Sequence, residues 1–474
     1  MFQQRSFGYT INKPPVAERL QTALGLQQQG KLVAARDLYQ GILQDQPDNA
    51  DALRFLGVIE EQRGSYEQAA QLLEQSARLN PRNPSTFLNL GNVRIRQRQF
   101  KEALQDYDVA LSLKPDYAHA HLGRGVALER LNEFDKAMNA YELALLANKE
   151  FDAAQWNLAC LLLLTGQYAE GWKFYESRWK VRAHQLQSRA FKQPLWLGEQ
   201  PIAGKTLYVY DEQGLGDSIQ FARYIPVLAA RGARVILETA PSLTRLFGTL
   251  DGVEQIVQRG DQPPDFDFHC PLSSLPLATH TTLDTIPCFP AYLHCPPSLQ
   301  TAWAERLKPK QGLRIGLTWS GNTDHYNDSN RSIPLQLLLE ALPAGPQYVS
   351  LQKDVRKSDR AALASRPDIT DLSPALNDFA DTAALCSQLD LVISVDTSVA
   401  HLCGAMGIDT WVLVSKLPDW RWLLDRTDSP WYPSVRVIRQ TREGEWGDAL
   451  RTLYDQVEAL CHTQASDPLR LSKT

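Results

Sequence analysis

Two rhythms of apolar and polar positions divide this chain. From residue 16 to about 183, small and aromatic residues recur at a fixed step of 34 positions. Ala23, Gly57, Gly91, Gly125 and Ala159 form one register, and Ala35, Ala69, Ala103, Ala137 and Gly171 form a second. Tyr39, Leu73, Tyr107, Tyr141 and Tyr175 form a third, and Pro47, Pro81 and Pro115 close three of the units. The pattern predicts two helices per unit. Small residues let them approach closely, the large residue fills the space between units, and proline stops the second helix before the next unit begins. After "WKFYESRWK" this rhythm ends. A stretch rich in Gln, Pro and Gly, residues 184–204, reads as a linker, and short apolar runs then alternate with amphipathic ones.

"TLYVY", "ARVILE" and "FDFHC" predict strands of one parallel sheet. "LRIGLTW", "QYVSLQ", "LVISVD", "TWVLV" and "VRVIRQ" predict strands of a second. Helices are expected between them at "SIQFARYIPVLAARG" and "DFADTAALCSQLD", with a final one at "EWGDALRTLYDQVEALCH". Proline-rich residues 287–300 separate the two sets. The expected fold is an α-solenoid followed by two Rossmann-like, doubly wound α/β domains, at 205–300 and 311–462. Ligands of such sheets bind at the carboxyl ends of the strands.

The 34-residue unit resembles the tetratricopeptide repeat. Lys149 stands where a fourth proline is due and Gly171 where alanine is, so the fifth unit reads as an atypical cap.

Composition narrows the function. The 474 residues suffice for about three domains of ordinary size. A net charge of −5 and a pI near 6.0 give no field for nucleic acid or for an acidic membrane surface. No apolar run reaches the length of a membrane span, and "MFQQRSFGYTINKPP" lacks the features of a signal peptide. Seven dispersed cysteines without a CxxC pair argue against a disulfide framework or structural zinc, and for a reducing cytoplasm.

The chemistry gathers at predicted strand ends. "TLYVY" runs into "DEQGLGDSIQ", where Gly214 and Gly216 permit a tight turn and Asp217 opens the helix. Asp217 reads as a general base facing a cleft, or as a helix cap paired with Gln220. "LVISVD" runs into a helix at Thr397 and Ser398, an anion site by its free N–H groups and dipole. Asp396 is a candidate there or a cap, and His401 a candidate or a satisfied partner of a neighbouring carbonyl. Ser320 and Gly321 open the loop "SGNTDHYNDSNRSIP", in which Arg331 is a permanent cation able to neutralise a departing diphosphate. Gln352 and Lys353 follow another strand. No GxxxxGK[ST] loop is present. Trp420, Trp422, Trp431 and Tyr432 read as packing between the last helix and the sheet, with stacking on a sugar or base as the functional alternative.

"GLGDSIQFARYIPVL" and "SVDTSVAHLCGAMGIDTWVLV" make the C-terminal 270 residues resemble the bacterial heptosyltransferase-like glycosyltransferases, two-domain enzymes of GT-B architecture. The resemblance implies a nucleotide-sugar donor in the second α/β domain and an acceptor against the first. It implies Asp217 as base, Asp396, Thr397, Ser398 and His401 around the diphosphate, and Arg331 in place of the family's phosphate-neutralising lysine. The family's Thr-Gly is here Thr397-Ser398 and the Arg331 loop is longer, so ADP-heptose is not assumed as the donor. Repeats ahead of such a unit are similar to the layout of O-GlcNAc transferases, in which asparagines of the repeat groove hold protein acceptors. The comparable positions are Gln21, Phe55, Asn89, Gly123 and Asn157, a partial ladder.

The expectation is therefore a metal-independent, inverting glycosyltransferase of the cytoplasm with no cofactor beyond its nucleotide sugar. A protein or peptide in the repeat groove is a candidate acceptor. The rival expectation is a non-catalytic repeat scaffold with a degenerate glycosyltransferase-like domain. Glu212 and Asp324 are the next candidates for the base should Asp217 serve only as a cap.

Overall fold

The computed structural model describes residues 14–181, 186–325 and 327–466. Residues 1–13 of the N-terminal stretch read for a signal and the start of the expected linker, residues 184–185, lie outside the described residues. The chain divides into two compact units, Met1–Leu158 and Ala159–Thr474, with the division inside the helix Asp152–Leu164.

The first unit is a solenoid of antiparallel helix pairs. Val16–Gln28 pairs with Leu32–Asp45, Ala50–Gln62 with Tyr66–Leu79, Pro84–Arg96 with Phe100–Leu113, and Ala118–Arg130 with Phe134–Ala147. The small-residue register does what close approach requires. A Cβ on Gly91 would lie 2.6 Å from Cε1 of Tyr107. Tyr107 is buried, and its hydroxyl donates to Asn92 Oδ1 at 2.8 Å. The second helix of three pairs ends two residues before Pro47, Pro81 or Pro115, as the steric demand of proline on its predecessor predicts. Each turn inside a pair uses one left-handed residue. Gly30 and Gly64 hold two of these positions, and Arg98 and Asn132 adopt the same backbone at φ +62° and +61°.

The second unit holds two parallel sheets. The first contains β1 (Thr206–Tyr210), β2 (Arg234–Thr239), β3 (Val253–Gln258) and β4 (Phe268–Pro271), in the order β3-β2-β1-β4. The second contains β5 (Arg314–Thr318), β6 (Gln347–Ser350), β7 (Thr370–Asp371), β8 (Leu391–Val395), β9 (Thr410–Val414) and β10 (Val435–Arg439). Its order is β10-β9-β8-β5-β6-β7. β1, β5, β8 and β9 are buried along their whole length, which is why their sequences are mostly apolar, with polar residues such as Thr206, Arg314, Ser394 and Thr410 buried among them.

The structure corrects several local expectations. The helix expected at 218–232 is two helices, Leu215–Phe221 and Tyr224–Ala230, because Pro226 cannot donate back to residue 222. The expected linker is pinned to the first sheet at Arg189 and Trp196, although most of residues 186–204 are exposed. Trp196 is buried, its N–H donates to the His269 carbonyl at 2.9 Å, and Arg189 pairs with the buried Glu238. The tryptophans after β9 do not sit under the last helix, Gly447–Ser466, which packs on the second sheet through Leu450, Leu453 and Val457. Trp420 and Trp431 meet the helix Tyr168–Tyr175 instead. Trp172 lies edge-on to Trp420 at 5.3 Å between centroids, and Trp431 Nε1 donates to the Tyr168 hydroxyl at 3.2 Å. Among the described residues, no helix is long and apolar enough to cross a membrane.

Candidate active site

The carboxyl end of β1 turns at Gly214 into the helix Leu215–Phe221. Asp217 is the third residue of that helix, not its cap, and its Oδ2 reaches back to accept from the Gly214 N–H at 2.9 Å. Gln220, expected as its capping partner, is fully buried and bonds elsewhere. The carboxyl end of β8 turns at Thr397 into the helix Ser398–Ala405. Thr397 is the N-cap residue and makes no side-chain cap bond, so Asp396 precedes the cap instead of forming it.

These two helix starts abut. A Cβ on Gly216 would lie 2.9 Å from Cδ2 of His401 and 3.4 Å from Cα of Ser398, so glycine alone allows the approach. His401 Nδ1 is 2.9 Å from the Tyr432 hydroxyl, its ring stacks on Trp422, and Nε2 lies 3.9 Å from Asp396 Oδ1. Burial, reinforced by the charges of Arg421, Arg223 and Arg331, holds this imidazole well below its usual range, so it is neutral. Burial and the charge of Asp419 push the Asp396 carboxyl up to about 6 against the pull of Arg331 and Arg421. Arg331 Nη1 donates to the Asp396 carbonyl at 3.0 Å, and its side chain lies over Gly321.

Asp217, Gly214, Gly216, Ser320, Gly321, Arg331, Asp396, Thr397, Ser398 and His401 thus stand at the carboxyl ends of β1, β5 and β8. The other two candidates are committed elsewhere. Gln352 clamps the end of β5, accepting from the Trp319 and Ser320 N–H groups and donating to the Ser320 carbonyl at 3.1 Å. Lys353 donates to the Asn377 carbonyl at 3.1 Å and lines a separate surface depression of about 580 Å³ with Arg360, Arg366 and Asp371. Glu212 is held by Arg178 at 3.0 Å, and burial pushes its carboxyl up to about 7. Asp324 is exposed.

Sequence reasoning missed Arg421. It rises from the turn Trp420–Trp422 after β9, and its guanidinium bonds Asp217 Oδ1, Asp419 Oδ1 at 2.7 Å and Gln220 Oε1 at 2.5 Å. Burial opposes its charge, but Asp419 and Asp217 hold the charge more firmly than in water. A cationic residue inside "PDWRWLLDR", flanked by carboxylates, was the available signal.

The repeat region matches the family model described as tetratricopeptide repeat over residues 20–84 and 88–155. The N-terminal helices are tetratricopeptide repeats, and the α/β region that follows is a parallel-sheet unit. Protein FlbA of Caulobacter vibrioides is 27% identical over 322 residues, covering 62% of this chain and 52% of that protein. The chain therefore spans about half the length of that curated relative. Among solved structures, a thermophilic TPR protein of Thermus thermophilus is 24% identical, with 35% of this chain and 91% of that one covered and a TM-score of 0.32. MamA is 21% identical, with 34% and 95% covered and a TM-score of 0.31.

Proposed function

We propose that the chain is a glycosyltransferase of GT-B architecture, moving a sugar from a nucleotide-diphosphate donor to an acceptor hydroxyl, with the repeats recruiting a protein acceptor. The observation that carries this reading is that Gly216, next to Asp217, abuts the helix start at Ser398, while the cation Arg331 bonds the Asp396 carbonyl just before that start, at the carboxyl ends of two parallel sheets. The acceptor oxygen attacks the anomeric carbon, and its proton passes to the Asp217 carboxylate. The bond from that carbon to the diphosphate oxygen breaks, and the electron pair stays on the phosphate. Arg331 and the N–H groups of the helix Ser398–Ala405 offset the growing charge, so the step needs no divalent ion. Ser320 Oγ and Arg331 Nε are buried without a hydrogen-bond partner, which suits a polar ligand in this place. The dispersed free thiols favour the cytoplasm as the compartment of this chemistry.

One observation favours the rival reading of a non-catalytic scaffold: both Asp217 oxygens are already engaged, one by Gly214 and one by Arg421. Transfer from labelled ADP-, GDP-, UDP-, CDP- and dTDP-sugars onto lysate proteins separates the two. The enzyme reading expects one donor to be used by the parent and transfer by Asp217→Asn to fall about 10²–10⁴-fold. Asparagine still accepts from Gly214, so the helix start survives the change. A parent protein inert with every donor supports the scaffold.

A further inference from the structure

We propose that Arg421 is a positioning residue that covers Asp217 while the donor is absent and moves onto the diphosphate when it binds; this rests on the glycosyltransferase reading above. The guanidinium spans the two sheets. From the turn after β9 it reaches Asp217 and Gln220 on the helix after β1, 204 and 201 positions earlier in the chain. Gly214 holds Oδ2 of Asp217, so the oxygen left for an acceptor's proton is the one that Arg421 covers.

Three further features point to exchange rather than a permanent cross-link. First, Arg421 bonds Asp217 on the helix whose Gly216 abuts Ser398, and Arg331 bonds the Asp396 carbonyl just before Ser398, so both cations border the same pair of helix starts. Second, Gln220 is fully buried, yet its Nε2 has no partner, leaving a donor free beside the guanidinium. Third, the turn carrying Arg421 is held in one shape. Leu423 has φ +51° and ψ −169°, a backbone that residues other than glycine rarely adopt. Arg439 fastens it by donating to the carbonyls of Leu423, at 2.9 Å, and of Trp422. The anchor is rigid and the side chain has three exchangeable acceptors. A diphosphate offers paired anionic oxygens that match the guanidinium fork and outcompete a single carboxylate oxygen. Asp217 is then uncovered only when a donor is present to react.

The test is calorimetric titration of ADP, GDP, UDP, CDP and dTDP into the full chain as parent, Asp217→Asn, Arg421→Gln and the double variant. Removing the competing carboxylate should tighten the preferred nucleoside diphosphate about tenfold, a gain that a purely structural bridge would not give. Arg421→Gln should weaken binding by at least as much, and in the double variant the Asp217→Asn gain should vanish. Should Arg421→Gln fail to fold, Arg421→Lys replaces it, and the gain should shrink because an ammonium lacks the planar fork that pairs with two phosphate oxygens. Unchanged or weaker binding by Asp217→Asn overturns the inference. If Arg331→Ala still loses diphosphate binding in that case, the transferase reading stands alone. No binding of any nucleoside diphosphate by parent or Asp217→Asn overturns both.

Discussion

Gly91 in the repeats and Gly216 at the strand ends both omit a methyl group that the fold has no room for, but they make room for different things. At Gly91 the space is filled by Tyr107 of the same helix pair, and the result is a well-packed repeat. At Gly216 it is filled by His401 and Ser398 from the other sheet, and the result is a meeting of two helix starts. In the repeats, a contact joins neighbours in sequence, so stability accumulates unit by unit. In the α/β unit the decisive contacts join distant segments, such as Asp217 with Arg421, 204 positions apart. Damage should therefore stay local in the first unit and spread in the second.

The most severe way to test this is to cut the chain. A protein starting at residue 205 loses Tyr168, Trp172, Tyr175 and Arg178, all buried in the second unit. Losing a buried aromatic side chain costs about 3–5 kcal/mol, so three together match the ordinary stability of a whole domain. Arg178 would also leave Glu212 buried without its cation. Starting at 205 should yield insoluble protein, whereas starting at 159 should yield a cooperatively melting one, as judged by circular dichroism. Comparable folding of both would mean that the aromatic cluster is dispensable and the α/β unit is less interdependent than argued.

The same difference decides what was legible in the sequence. The repeat could be read because its partners recur at one spacing, and each register has one physical task. The buried strands could be read because they are short, mostly apolar runs rich in β-branched and aromatic residues. β3 could not, since it is an edge strand whose polar Glu254 and Gln255 are exposed, and β7 is only two residues long. Asp217 and the Ser398 helix start were legible as local turns at strand ends. Arg421 was legible only as a cation flanked by carboxylates, because nothing near it in sequence announces partners more than 200 positions away. Gln352 read as a ligand-binding group because a polar residue after a strand resembles one. Its amide instead satisfies the backbone at the end of β5, a demand invisible without the neighbouring strand.

The two glycines give the next test. Gly91→Ala forces Tyr107, buried and bonded to Asn92, out of place, and overpacking costs about 1–3 kcal/mol before alanine's helical advantage of about 1 kcal/mol is returned. A net loss of up to about 2 kcal/mol in chemical denaturation is expected, with nucleoside diphosphate binding unchanged. Gly216→Ala should cost a similar amount of stability, because His401 is fixed by Tyr432 and Trp422. It should also weaken nucleoside diphosphate binding, since the helix starts must part. If both variants bind like the parent, Gly216 is packing alone and the contrast fails.

The smallest effect concerns strain. Arg98 occupies the left-handed position that Gly30 and Gly64 fill in the first two repeats. An L-residue there costs about 1–2 kcal/mol, and glycine's greater freedom in the unfolded chain returns part of that. Arg98→Gly should therefore stabilise the first unit by roughly 0.5 kcal/mol, because the interaction of the exposed Arg98 side chain contributes less than its backbone strain costs. Asn132→Gly should change little, since asparagine tolerates this conformation. Leu423 shares the sign of φ, but relief by glycine is closed to it: its side chain is buried, and Arg439 ties its carbonyl into the turn that carries Arg421. Chemical denaturation of Arg98→Gly beside Leu423→Gly reads the contrast directly. The first should gain stability and keep nucleoside diphosphate affinity, and the second should lose both. A loss for Arg98→Gly would mean that its side chain contributes more than its backbone costs, and the repeat turns would then be no simpler than the turn at the site.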